Sequence, residues 1–121
     1  MIGKEGDRPP PREHMPEWLV VEVSAIFTLL RPEESGWSTP VGSGLRPNHN
    51  FIGPGNRDMC MGQITVPGDE KIFPGESKAV MIQFVLLPAY AALLRPGFMW
   101  RIQAGGQHFA NGEVIEVLCP D

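Results

Sequence analysis

An all-β fold, a six-stranded antiparallel β-barrel, is what this sequence predicts, and three observations predict it. Runs of alternating apolar and polar residues recur along the chain with the period of two that sends successive side chains to opposite faces of a strand. Thirteen prolines and fourteen glycines punctuate those runs across 121 residues, which favours short strands and turns over long helices. The last continuous segment, Phe98 to Leu118, has the form of a terminal hairpin able to close a barrel.

Length and composition bound the rest. A chain of 121 residues holds one ordinary core, and its 42% hydrophobic and 20% charged content is that of a globular domain. The net charge of −4 supplies no long-range attraction for nucleic acid, DNA included, or for anionic lipid. No stretch of about 18 apolar residues is present to span a bilayer, and the N-terminus lacks the apolar core of a secretory signal, so a cytoplasmic location is expected. Cys60 and Cys119 lie in no metal or redox motif and read as reduced thiols.

Met1 to Pro16 contains Arg8-Pro9-Pro10-Pro11-Arg12 among Gly, Asp and Glu, has little to bury, and reads as a flexible Pro-rich tail. Consecutive prolines suit a polyproline II ligand for an aromatic groove, although the linker reading is preferred. Residues 17–121 form the single domain. Trp18 to Leu30 is the first strand, with Val21, Val23, Ala25, Phe27 and Leu29 on one side and Glu22, Ser24 and Thr28 on the other. Arg31 to Pro47 is too rich in Pro and Gly for helix or central strand, and a loop of that length is expected to be ordered against the barrel or to carry function.

Asn48 to Ile52 is a weak second strand and Cys60 to Val66 a third, separated by the turn-forming Gly53-Pro54-Gly55-Asn56. Pro67, Gly68 and Asp69 end the third strand, and a Phe73-Pro74-Gly75-Glu76 turn introduces the fourth, Ser77 to Leu87, whose buried set is Val80, Ile82, Phe84 and Leu86. Pro88 to Leu94 is the only helical turn expected, stopped by Arg95-Pro96-Gly97. In the closing hairpin Phe98, Trp100, Ile102 and Ala104 alternate with Met99, Arg101 and Gln103. Gly105 and Gly106 supply positive φ for the reversal, and the last strand runs from Gly112 to Leu118 with Val114 and Leu118 opposite Ile115 and Val117.

Taken in order, Gly36-Trp37-Ser38-Thr39-Pro40, Gly44-Leu45-Arg46-Pro47, Met61-Gly62-Gln63-Ile64-Thr65-Val66, Phe73-Pro74-Gly75-Glu76, Arg101-Ile102-Gln103-Ala104-Gly105-Gly106 and Gly112-Glu113-Val114 resemble the C-terminal domain, domain 3, of bacterial elongation factor Tu. The resemblance covers about Val20 to Leu118 and implies a six-stranded antiparallel barrel standing alone. It carries no GTPase activity, because a phosphate-binding loop needs Gly-x-x-x-x-Gly-Lys-Ser/Thr, whereas Gly42 to Gly44 is followed by Leu45 and Arg46. In the family this domain helps to hold the T-arm of tRNA and is touched by the nucleotide exchange factor. An Arg-His pair there is replaced here by Trp37 and Ser38, and a contacting threonine by Met61, while Gly105 matches. Gln107, His108 and Phe109 depart from the family's hairpin, so the cations that attract phosphate are gone.

No nucleophile, base and oxyanion-stabilising group are spaced for catalysis, so no enzyme, cofactor or metal is expected. His14 lies in the tail, His108 reads as an exposed turn residue, and His49 with Cys60 and Cys119 matches no zinc pattern. The reading is a non-catalytic binding module that engages a protein partner, either translation machinery or another copy of itself. Partner-binding residues are placed at Trp37, Met99, Arg101, Gln103, Gly105, Gly106, Gln107 and His108. Trp37 in its Gly/Ser-rich loop either anchors that partner or caps the barrel end. Binding of tRNA, or competition for ligands of the intact factor, are the alternatives.

Overall fold

The computed structural model describes residues 17–119; the tail assigned to 1–16 lies outside the described residues. Six strands, β1 (Leu19–Leu29), β2 (Asn48–Asn50), β3 (Cys60–Thr65), β4 (Ser77–Leu86), β5 (Met99–Ala104) and β6 (Gln107–Cys119), close into an antiparallel barrel in the order β1-β4-β3-β2-β5-β6. Strands closed on themselves leave no unpaired edge. β1 lies between β4 and β6, pairing Ala25 with Val80 on one side and with Val114 on the other.

The inward faces follow the alternation. Val21, Val23, Ala25, Phe27 and Leu29 of β1 are buried, as are Val80, Ile82, Phe84 and Leu86 of β4. One end of the interior is aromatic: Phe51 packs edge-on to Phe84 and Trp100 at centroid distances of 5.5 and 5.8 Å, with Phe98 and Tyr90 behind it. His49, fully buried, is inserted in that cluster.

Three local expectations are corrected. The loop after β1 contains a helical turn, α1 (Pro32–Ser35), in addition to the expected α2 (Pro88–Ala91). Proline at its first position has the right φ for a helix start, and the Glu34 carboxylate accepts the Arg31 N–H at 3.0 Å. Beyond it the loop is ordered, as its length implied: Val41 pairs with Ile72, Gly44 N–H donates to Ile64 O, and Ser43 Oγ accepts Val66 N–H at 2.7 Å.

Second, β6 starts at Gln107, five residues before the expected Gly112. Ala104 pairs with Gln107 across a two-residue turn in which Gly105 alone has positive φ, +60°, so Gly106 does not use its freedom. Positive φ at the first central residue is the type II′ pattern, which matches the twist of the strands it joins. Gly112 is then mid-strand and buried, opposite Trp100 of β5 and Phe27 of β1. Its role is to leave room for the indole.

Third, two irregularities in the β1–β6 register break the alternation of β6. Val114 and Val117 both pack against the core while Ile115 is exposed. An extra residue in one strand reverses the facing of the residues beyond it, and a period-of-two pattern cannot show where it falls.

Candidate functional site

The expected hairpin residues are strung along the β5–β6 ladder, Met99 at the far end from the Gly105–Gly106 turn, and most are occupied in holding the fold. Gln103 is buried: its Oε1 accepts Asn50 Nδ2–H at 2.8 Å and its Nε2 donates to Gly105 O at 3.1 Å. Asn50 is the centre of this cluster, its Oδ1 also accepting from Ile52 N, Gly53 N and Asn56 Nδ2. Gln103 therefore fastens the loop after β2 and is removed from any interface rim. Gln107 Nε2 donates to Ser35 O at 2.9 Å, tying the hairpin to α1.

His108 is half-buried in β6, not exposed in a turn, and its Nε2 lies 2.6 Å from Asn111 Oδ1. Arg101 stands between Asn50 and Asn111 in the ladders, and its Nε is the one buried side-chain polar atom without a partner among the described residues. Met99 is exposed, and Gly105 and Gly106 form the exposed tip.

Trp37 acts as the cap. Its ring stacks on Phe109 at 4.3 Å, Nε1–H donates to Thr39 O at 2.7 Å, and its N–H donates to Ser35 Oγ. The half-buried indole in that position covers the Phe109 ring and packs on the core. Trp37→Ala is expected to lower the unfolding free energy by about 2 kcal/mol through lost stacking and burial. Urea unfolding of the variant checks this, and an unchanged midpoint would refute the capping role.

His49, weighed in the sequence as a zinc ligand, is internal. Trp100 Nε1–H donates to His49 Nδ1 at 3.0 Å, and an indole nitrogen has no lone pair to offer in return. Nδ1 must accept, so Nε2 carries the proton and donates to Gly62 O at 3.1 Å. Both ring nitrogens are engaged and the ring is neutral. Burial lowers its pKa from 6.5 to about 4, the Gly62 bond opposing that shift. Among the described residues, no three His, Cys, Asp or Glu side chains converge on a metal position, and no helix is long and apolar enough to cross a membrane.

A concavity lies elsewhere, on the outer face of β4 and β3, with Trp18, just before β1, at its border. Val20 is paired with Val85, and Met61 lies on the same face of β3, two positions before Gln63, which pairs with Gln83. One step along, the facing row is polar: Glu22, Gln83 and Gln63. Trp18, Met61, Val85 and Val20 are 62%, 57%, 53% and 51% exposed. Trp18, Met61 and Val85 line a groove of about 750 Å³ with Met59, Leu87 and Tyr90, and Val20 stands beside Val85 in the β1–β4 ladder.

Arg46 and Asp58 stand in its wall, with the Arg46 Nε bonded to Gln63 Oε1 at 3.0 Å. Cys60 lines it too, its thiol pushed up in pKa by partial burial, which keeps it protonated and weakly nucleophilic. An outward row of Val, Val and Met on three adjacent strands is the surface an antiparallel sheet ordinarily fills with polar residues. Sequence reasoning missed this groove, although Met61 and Val85 stand at positions that alternation assigns to the solvent side.

Comparison with protein-family models and with curated proteins finds no match for the chain. The geometry of the site therefore carries the functional reading.

Proposed function

We propose that the chain is a non-catalytic protein-binding module, built on a barrel of the kind that forms the third domain of elongation factor Tu. The groove lined by Trp18, Met61 and Val85, extended by the neighbouring Val20, is its docking surface. The observation that carries the reading is the contiguous apolar row across β1, β4 and β3, flanked by a polar row on the same face. Burying such a row removes four large side chains from water, and a concave apolar surface suits a protein segment better than a phosphate backbone.

The resemblance supports the choice over RNA. Met61 stands where the family has an RNA-contacting threonine, and here it is part of the apolar groove. Trp37, at a family cation position, is stacked on Phe109. A component of the translation apparatus is the first partner to test.

A photo-crosslinking residue at Gln83 of the full chain should trap the partner in its native cells. The double variant Met61→Glu with Val85→Glu is expected to reduce the adduct at least tenfold, whereas Ile115→Glu, outside the groove, leaves it intact. These are surface changes, so unfolding free energies should move by no more than about 0.5 kcal/mol. Equal adduct yields from all three chains would refute the reading.

A further inference from the structure

His49 and the groove share their supports. The ring donates from Nε2 to Gly62 O at 3.1 Å, and a Cβ on Gly62 would lie 2.9 Å from that nitrogen, so imidazole and backbone are in direct contact. Gly62 lines the groove, and so does Cys60, the residue paired with His49 between β2 and β3. On the other side of the ring, Nδ1 accepts the Trp100 indole N–H at 3.0 Å. Trp100 meets Phe51 at a centroid distance of 5.8 Å and Phe51 meets Tyr90 at 6.1 Å, which leads back to a residue of the groove wall.

One proton upsets this arrangement. A neutral imidazole serves both supports, donating to one and accepting from the other, whereas an imidazolium has two donors and no acceptor. Its Nδ1–H would then oppose the indole N–H. The rings around it offer no replacement acceptor: Phe84 stands edge-on at 4.8 Å and Trp100 already donates. A charged ring buried without an acceptor needs water, and the wall it touches on the groove side is the Gly62 backbone.

The groups that face His49 leave the ring as the one that changes charge in acid. Cys60 is titratable, but partial burial pushes its thiol pKa up, so it stays neutral. The neighbours of Gly62 and Phe84 along β3 and β4, Met61, Gln63, Gln83 and Val85, are uncharged. Arg101 lies between Trp100 and Ile102 in β5 and alternates to the opposite face, paired with Asn50.

We propose that the groove is coupled to the His49 proton: it holds its docking shape while the ring is neutral, and protonation displaces its Gly62, Cys60 and Tyr90 walls. The inference rests on the groove being the docking surface, and it adds regulation by acid. The folded ring takes up its proton at about pH 4, so half of the chains carry the altered groove there and nearly none do at neutral pH. By reciprocity, an occupant of the groove holds the ring neutral to lower pH.

The test uses the full chain, unaltered and as Asp58→Asn, because carboxylic acids take up protons in the same range and Asp58 stands in the groove wall. NMR follows the His49 ring, the Trp18 indole and the Met59 and Met61 methyls from about pH 7 down through about pH 4. In both chains the groove signals should move with the midpoint of the His49 ring. The Trp37 indole and the Met81 methyl, which do not line the groove, should hold their folded positions. His49→Gln should remove the step, and the coincidence of midpoints in the Asp58→Asn chain decides the question even if that variant fails to fold.

Groove signals with a midpoint of their own would overturn the proposal, as would a step that disappears in Asp58→Asn. Movement of Trp37 and Met81 in the same step would show global unfolding and overturn it as well. If the groove signals ignore His49 while crosslinking at Gln83 still depends on Met61 and Val85, the coupling fails and the docking surface stands. If they follow His49 while crosslinking ignores Met61 and Val85, the coupling holds and the docking reading fails.

Discussion

Gly112→Ala is expected to lower the unfolding free energy by about 3 kcal/mol, a large effect for one methyl group, because overfilled cores ordinarily lose about 1–3 kcal/mol. A Cβ at this position would lie 2.4 Å from Trp100 Cζ2 and 2.6 Å from Cε2, well inside contact distance. The indole has nowhere to go: its Nε1–H is bonded to His49, and Phe51, Phe84 and Phe98 surround it. The backbone cannot yield either, since Gly112 is paired with Trp100 on one side and with Phe27 on the other.

Urea unfolding of the purified variant measures the loss. Adding Trp100→Phe removes the outer ring atoms that collide, so the double variant should be at least about 1 kcal/mol more stable than the sum of the single effects. Strict additivity would show that the collision is not the cause. The same architecture recurs at Gly62, where a Cβ would lie 2.6 Å from Phe84 Cδ1.

Much of the barrel could be read from the chain, for a physical reason. The alternation of Val21 to Leu29 and of Val80 to Leu86 encodes which face each strand buries, and the Pro/Gly clusters between them mark where strands stop. What alternation does not encode is which strands become neighbours. Val20, Met61 and Val85 each read as an isolated outward residue, and they form a surface because β1, β4 and β3 are adjacent in the barrel. The same limit explains Gln103 and Gly112. A glutamine in a strand looks like a rim residue until Asn50 is known to lie beside it, and a glycine after a turn looks like part of the turn until an indole is found above it.

Acid is expected to destabilise the fold through His49 over a defined range. The unfolded chain binds a proton at this side chain near pH 6.5, whereas the folded chain resists until about pH 4. Between those values the unfolded state holds more protons, so stability falls as the pH falls. The neutral ring's contribution is whole above 6.5 and is lost by about 4. The difference corresponds to about 3 kcal/mol at most.

Protonation would also place a second N–H against the Trp100 donor, which breaks the bond that fixes both rings. Unfolding free energies measured from about pH 7 down to about pH 4 should show the decline, and His49→Gln, less stable at neutral pH, should show a flatter profile. Parallel profiles for the two proteins would remove His49 as the cause.

The position of β1 between β4 and β6 matters during synthesis. A strand that emerges early, carrying Val21, Val23, Ala25, Phe27 and Leu29 on one face, finds its first ladder partner only when Ser77–Leu86 has been made, and its second only with Gln107–Cys119. Both of its hydrogen-bonding edges are open to other chains until β4 has been made, and one edge stays open until β6 follows. A nascent chain stalled before β6 should therefore be bound by chaperones or aggregate, and release of the last strand is the event that ends that exposure.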